Sequence, residues 1–209
     1  MKFLLYAVAG LAALLSIRAQ TIAQCTCKDV EACKKSYVDA IWPCADACAA
    51  HAAKVGANYK QLRSCIMERE PQLRQVLKCA EKSLGNTCAS APGQTVPKRF
   101  IETLKLAGFT EVDHILKKSG VLEQVKHLVK ESEKFYTCIK SCMDDKANNC
   151  AKKLSCGLQL PPDNVIVKNF KQCAIENGFD NKGTQTICEC GTKSGIKELE
   201  SVCGKLQIS

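Results

Sequence analysis

The sequence predicts an all-α protein whose helices are held together by disulfides. Sixteen cysteines occur in a chain of 209 residues. Apolar residues recur at helical spacing along most of the chain. Strand signals are nearly absent, since Val165-Ile166-Val167 is the only run of β-branched residues. The expected fold is a disulfide-stapled helical protein, with two eight-cysteine helical modules joined by a cysteine-free helical pair.

Composition excludes several other classes of protein. The chain has 12 glycines and 6 prolines, too few for a collagen-like or low-complexity chain, and 46% of its residues are hydrophobic, too many for a disordered one. The net charge of +9 is spread over the chain in short doublets of basic residues, such as Lys34-Lys35 and Lys117-Lys118. A solvated helical surface explains such doublets, and an acidic glycan or an anionic surface as partner is the alternative. No nucleic-acid-binding motif is present.

The first 23 residues are predicted to be a secretory signal peptide. Lys2 precedes an apolar run over residues 3–15 that is too short to span a bilayer and is typical of a signal. Small residues at Thr21 and Ala23 favour cleavage after Ala23, and cleavage after Ala19 is the alternative. The protein is therefore expected to be secreted and extracellular, with no transmembrane segment after cleavage.

All sixteen cysteines are predicted to be half-cystines, because a secreted chain folds in an oxidising compartment and the count is even. They are Cys25, Cys27, Cys33, Cys44, Cys48, Cys65, Cys79, Cys88, Cys138, Cys142, Cys150, Cys156, Cys173, Cys188, Cys190 and Cys203. The sequence does not determine their pairing. Even if bridges stay within each group of eight, about 105 connectivities remain for each. After signal removal the chain has few aromatic residues. Disulfides are therefore expected to supply stability that a larger hydrophobic core would otherwise provide.

The cysteine distribution divides the chain into a cysteine-rich helical module over 24–92, a cysteine-free amphipathic helical connector over 93–137 and a second module over 138–209. In each module three cysteines are separated by 16 residues and then by 13 or 14. The two trios are Cys48, Cys65, Cys79 and Cys156, Cys173, Cys188. We interpret the modules as a diverged duplication.

Cys44 and Cys48, and likewise Cys138 and Cys142, stand one helical turn apart, which predicts a helix stapled to a neighbour at two points. Pro43 is expected to end one helix and begin another that runs to Lys54. In Cys25-Thr26-Cys27 and Cys188-Glu189-Cys190 a single residue separates the cysteines, so each pair is expected to reach two different partners.

The connector is predicted to contain two helices. Gly108 is expected to end the first, Thr110 with Asp113 to cap the next, and Gly120 to break or kink the run. Apolar residues on these helices could line a cavity for a small apolar ligand. The candidates are Phe100, Leu104, Phe109, Ile115, Leu122, Val125 and Leu128. An ordinary core is the alternative explanation. Pro161-Pro162 predicts a loop before the next helix.

Catalytic and metal-binding motifs are missing from the sequence. His51, His114 and His127 lie in no metal-binding motif, and no nucleophile elbow or phosphate-binding loop occurs. The two Cys-x-Cys pairs could hold a soft metal, but half-cystines explain them better. We therefore expect no enzyme activity, no cofactor and no metal.

The signal, the two groups of eight cysteines, the two Cys-x3-Cys pairs and the repeated spacing resemble nematode secreted proteins with a chondroitin proteoglycan 4-like domain. The resemblance covers residues 25–203. It implies an extracellular protein, antigenicity to a host and no catalytic residues. Ser119-Gly120 and Ser194-Gly195 follow lysines rather than acidic residues, so attached glycan chains are not expected.

Two functions follow as hypotheses. The first is a non-enzymatic extracellular or host-facing binding protein whose partner is a macromolecule or an acidic glycan surface. The second is a carrier of small apolar ligands, such as fatty acids, in a helix-lined cavity.

Overall fold

The computed structural model describes residues 20–208, and within them the chain folds into nine α-helices and one small sheet. The predicted helical class is confirmed. The helices are α1 Cys27–Ala47, α2 Ala50–Ala53, α3 Tyr59–Glu68, α4 Glu70–Leu84, α5 Ile101–Lys118, α6 Lys126–Lys146, α7 Cys150–Lys153, α8 Asp163–Glu176 and α9 Asn181–Lys193. The strands are β1 Thr21–Ala23 and β2 Thr95–Pro97.

Helix α1 differs from the prediction because Pro43 lies inside it. Thr26 caps the helix, since its side chain accepts a hydrogen bond from the Asp29 N–H, and the helix then continues to Ala47. Proline removes one helical hydrogen bond, but Cys44 and Cys48 immediately after it are bonded to α6. These bridges hold the last turn of α1 in place.

Helix α5 also runs further than predicted. Gly108 and Thr110 lie within it rather than at a boundary. A glycine inside a helix costs only about 1 kcal/mol relative to alanine, and a capping residue needs free backbone N–H groups that a continuous helix does not offer. The predicted break at Gly120 is confirmed, because the helix ends at Lys118 and Gly120 has φ +68°.

The two-stranded sheet was not predicted. Strands β1 and β2 pair antiparallel, with Ile22 opposite Val96. Residues 21–23 fall in the segment assigned above to the signal peptide, of which residues 1–19 lie outside the described residues. The Val165-Ile166-Val167 run lies in α8, which begins directly after Pro162 as predicted.

All sixteen cysteines form disulfides, as predicted. The bridges are Cys25–Cys156, Cys27–Cys88, Cys33–Cys150, Cys44–Cys142, Cys48–Cys138, Cys65–Cys190, Cys79–Cys173 and Cys188–Cys203. Six of them join the first group of eight to the second, so pairing does not stay within the groups. The predicted boundary between the connector and the second module, at 137/138, falls inside α6. The two modules are therefore interlocked in the fold.

Helices α1 and α6 form an antiparallel pair joined by two bridges, which we call the central clamp, and a third bridge joins α1 to the start of α7. Successive cysteines of the first group, Cys33, Cys44 and Cys48, bond to cysteines of the second in descending order. The predicted helix pair stapled at two points is confirmed. Both Cys-x-Cys pairs also reach two different partners, as expected.

Two further helix pairs each carry one bridge, and we call them the outer pairs. Cys65 of α3 bonds to Cys190 of α9, and Cys79 of α4 bonds to Cys173 of α8. In the alignment of the two groups α3 corresponds to α8 and α4 to α9. If α3 is replaced by its counterpart α8, and α9 by its counterpart α4, the first outer pair becomes the second. This reciprocal pairing supports the duplication, which stays a prediction.

The core is made of small side chains. Every buried hydrophobic residue within 20–208 is Cys, Ala, Val or Ile. One cluster joins Val121 and Val125, after α5, to Val202 and the Cys188–Cys203 bridge near the C-terminus. A second joins Ala52 and Ala57 to Ile196. Large apolar side chains stay at the boundary, so disulfide sulfurs occupy interior space that aromatic residues fill in other proteins.

Candidate functional site

A cavity of about 800 Å³ opens between the start of α5, the middle of α1 and the last turns of α6. We call it the groove. Its volume lies within the 300–1,000 Å³ typical of small-molecule sites. Its apolar wall consists of Ile22, Tyr37, Phe100, Ile101, Tyr136, Ile139 and Met143. Its charged residues are Lys98, Arg99, Glu102, Lys140, Asp144 and Lys152.

The apolar wall is unusually exposed for residues of this type. Phe100 is 58% exposed, Ile101 52% and Tyr136 39%. These side chains are nevertheless ordered by neighbours: the Tyr136 ring meets the Phe109 ring edge-on at 6.0 Å between centroids, and the Lys98 ammonium lies 5.5 Å from the centre of the Phe100 ring. Exposed apolar side chains that line a concavity are typical of ligand sites.

The charged residues leave the groove with an excess of positive charge. Asp144 is engaged by Lys140 at 2.8 Å and by Lys152 at 3.8 Å. Arg99 pairs with Asp163, which lies outside the groove. Within residues 20–208 Lys98 forms no ion pair. Four basic and two acidic residues thus line the groove, and Lys98 is available to an acidic group.

Tyr37, a residue of the apolar wall, contacts one of the charged residues of the groove, since its hydroxyl donates a 2.7 Å hydrogen bond to Asp144. Burial, together with this hydrogen bond, raises the pKa of Tyr37 to about 12. Partial burial alone would raise the pKa of Asp144, but hydrogen bonds from Lys140 and Tyr37 bring it below its usual value. Asp144 is therefore an anion at neutral pH and Tyr37 is a neutral donor.

The seven residues predicted to line a ligand cavity do not come together. Phe100 lines the groove, and with Leu104 it also lines a smaller cavity of about 170 Å³ beside it. Val125 is buried in the first core cluster, and Leu128 packs against both clusters. The others are partly buried: Phe109 supports Tyr136, while Ile115 and Leu122 lie elsewhere on the connector.

The histidines are placed separately. His127 lies 2.9 Å from Glu198, His114 lies 4.0 Å from Glu111, and the His51 ring faces Phe135 with centroids 6.4 Å apart. Across the described part of the chain, no three side chains of His, Cys, Asp or Glu are grouped so as to hold a metal ion. None of the helices within 20–208 is long and apolar enough to cross a membrane.

Sequence reasoning missed most of the groove. Ile22 lies in the segment predicted to be signal peptide. The apolar pattern of the connector was followed only to Tyr136, and Ile139 and Met143 lie beyond it on α6. A signal for Tyr37 did exist, because it stands four residues after Cys33, on the face of α1 that carries the Cys33–Cys150 bridge.

No protein-family model, curated protein or solved structure matches this chain. The kind of ligand that the groove can hold is therefore inferred only from the side chains that line it. An apolar wall beside an excess of positive charge can hold a molecule that has an apolar chain and an acidic head.

Proposed function

We propose that this chain is a secreted, non-enzymatic binding protein and that the groove carries a small amphipathic anion such as a fatty acid. Eight disulfides support an extracellular setting, because thiols stay reduced in the cytosol. The observation that carries the proposal is the exposed wall formed by Phe100 and Ile101 next to the unpaired ammonium of Lys98.

Each part of such a ligand has a counterpart in the groove. An alkyl chain would cover exposed carbon of Phe100, Ile101 and Tyr136, and burial of apolar surface contributes roughly 25 cal/mol per Å². A carboxylate at the mouth would meet Lys98 without displacing an existing ion pair. The helix dipole adds to this attraction, because Ile101 and Glu102 begin α5 and free N–H groups lie at that end.

An acidic glycan surface is the other partner class. A glycan would be held by scattered lysines and would not need the apolar wall, so its binding would fall steeply with salt and would be insensitive to Ile101. Host-facing exposure and antigenicity, which the family resemblance implies, are compatible with either ligand.

The test is titration of the oxidised protein with a fluorescent fatty acid. Ile101→Ser should weaken binding about tenfold, equivalent to about 1.4 kcal/mol of lost burial. Leu106→Ser is the matched control, because Leu106 lies on the same helix, is 68% exposed and does not line the groove. Lys98→Ala should weaken binding of the acid and leave the corresponding fatty alcohol unaffected. No binding, or equal effects of Ile101→Ser and Leu106→Ser, would refute the carrier.

A further inference from the structure

The segment from Gln20 to Cys25 is built into the fold through its backbone. The Lys98 N–H donates to the Gln20 carbonyl at 2.7 Å, and the Gln24 N–H donates to the Gln94 carbonyl at 2.8 Å. On the other side of the segment the Gly157 N–H donates to the Ala23 carbonyl at 2.8 Å. Strand β1 therefore lies between β2 and the chain that follows Cys156, and it completes the hydrogen bonding of both.

The side chain of Ile22 is matched closely to its surroundings. A Cβ placed on Gly157 would come within 2.8 Å of Ile22 Cδ1 and 3.1 Å of Val96 Cγ2, so glycine at 157 makes room for both. Val96, the strand partner of Ile22, is only 1% exposed. Ile22 also lines both the groove and the smaller cavity beside it, and forms part of the wall between them.

Removal of residues up to Ala23 would undo this arrangement. Strand β2 would become an unpaired edge, Val96 would be exposed, and the two cavities would open into each other. The cleaving enzyme acts on an extended chain before folding, so the fold does not choose the bond that is cut. Residues that are discarded after cleavage, however, would not be expected to pair in register with β2 or to fit the space that Gly157 leaves for Ile22.

We infer that the secreted chain begins at Gln20, and that it is processed after Ala19 rather than after Ala23, although Thr21-Ile22-Ala23 fits the small-residue rule for cleavage better. This inference rests on the secretion proposed above. It makes β1 a part of the mature protein and Ile22 a part of the ligand groove.

The experiment is intact mass measurement of the protein after expression of the full precursor in a eukaryotic secretory host. The predominant secreted species should begin at Gln20, with or without the loss of ammonia that accompanies cyclisation of an N-terminal glutamine. A secreted species that begins at Gln24 would overturn the inference and leave secretion intact. A chain retained in the cell with residues 1–19 attached would overturn secretion as well.

Two lysine substitutions provide a matched pair, because cleavage requires a small residue just before the bond. Ala23→Lys should leave secretion and the Gln20 start unchanged, since the Ala23 side chain is exposed in the fold. Ala19→Lys should abolish the species that begins at Gln20. The reverse pattern would show that the bond after Ala23 is the one used.

Discussion

The central clamp and the outer pairs use the same kind of bond in different surroundings. In the clamp, Cys44 is fully buried and Cys48 is 2% exposed, and the facing residues of α1 include buried alanines. In the outer pairs, Cys65, Cys79 and Cys190 are only partly buried, although Cys173 is 3% exposed; α3 buries no residue and α4 buries only Val76. Each clamp disulfide therefore has one cysteine in the core, whereas the outer disulfides tie the sparsely buried helices α3 and α4 to it, and Cys65–Cys190 has no buried cysteine.

The largest difference should appear when two bridges are removed from each region. Replacing Cys44, Cys142, Cys48 and Cys138 by alanine should abolish cooperative thermal unfolding. The matched variant without Cys65–Cys190 and Cys79–Cys173 should still unfold cooperatively, at a lower temperature. Each native bridge contributes about 2–4 kcal/mol.

The comparison separates the effect of burial from that of loop closure, because the bridges of the two regions close loops of similar length. The clamp bridges span 98 and 90 residues, and the outer bridges span 125 and 94. A doubling of loop length changes closure entropy by only about 0.6 kcal/mol, so entropy alone predicts no advantage for the clamp. If the outer variant were destabilised as much as the clamp variant in circular dichroism melts, burial of sulfur would not be the distinguishing factor.

Reduction of the native protein should follow the same division. A thiolate must reach a sulfur in line with the bond it breaks, so partly exposed bridges react first. Limited treatment with a small thiol, then alkylation and peptide mass analysis, should label Cys65 and Cys190 before Cys44 and Cys48. Simultaneous labelling of all four at the rate of global unfolding would mean that the two regions open together.

A smaller effect should distinguish two tyrosine hydrogen bonds. Tyr37 joins α1 to α6 through the partly buried Asp144 at 2.7 Å, and Tyr59, itself partly buried, joins α3 to α1 through the exposed Asp46 at 2.7 Å. In urea titrations Tyr37→Phe should lower the free energy of unfolding by about 1–2 kcal/mol, as for a hydrogen bond to a charged group. Tyr59→Phe should lower it by less than about 1 kcal/mol. Equal losses would contradict the contrast.

These tyrosines also predict a loss of stability at high pH. Burial, with the hydrogen bond to Asp46, raises the pKa of Tyr59 to about 12, as burial and Asp144 do for Tyr37. The unfolded chain loses these protons near pH 10, about the normal value for tyrosine. Their contribution is therefore complete below pH 10 and is lost as pH rises to 12. Tyr37→Phe and Tyr59→Phe should each remove a similar part of this alkaline loss, as measured by melting temperature against pH.

Local features were predictable from the sequence and long-range ones were not. Helical periodicity, the Cys-x3-Cys staples and the break at Gly120 depend on residues a few positions apart. The bridges between the two groups span 90 to 131 residues, and no local pattern selects among such pairings. Gly108 was misleading because a cost of about 1 kcal/mol for one glycine is too small to end a helix of 18 residues.

The groove was unpredictable for the same reason. Tyr37 and Tyr136 are remote in the chain, and they line the same groove only because the clamp sets α1 against α6. The β1–β2 pairing brings Ile22 and Lys98 to the same place. A site made from parts of several elements leaves no motif in any one of them.

The most direct test of the interlocked fold is disulfide mapping of the native, thiol-blocked protein after digestion at lysine without reduction. Residues 36–54 form one peptide that carries Cys44 and Cys48, while Cys138 and Cys142 fall on the separate peptides 135–140 and 141–146. The interlocked fold predicts a species in which these three peptides are joined, and reduction should release all three. Bridges from 36–54 only to other peptides of the first group would contradict it, because the chain would then consist of two independently cross-linked modules.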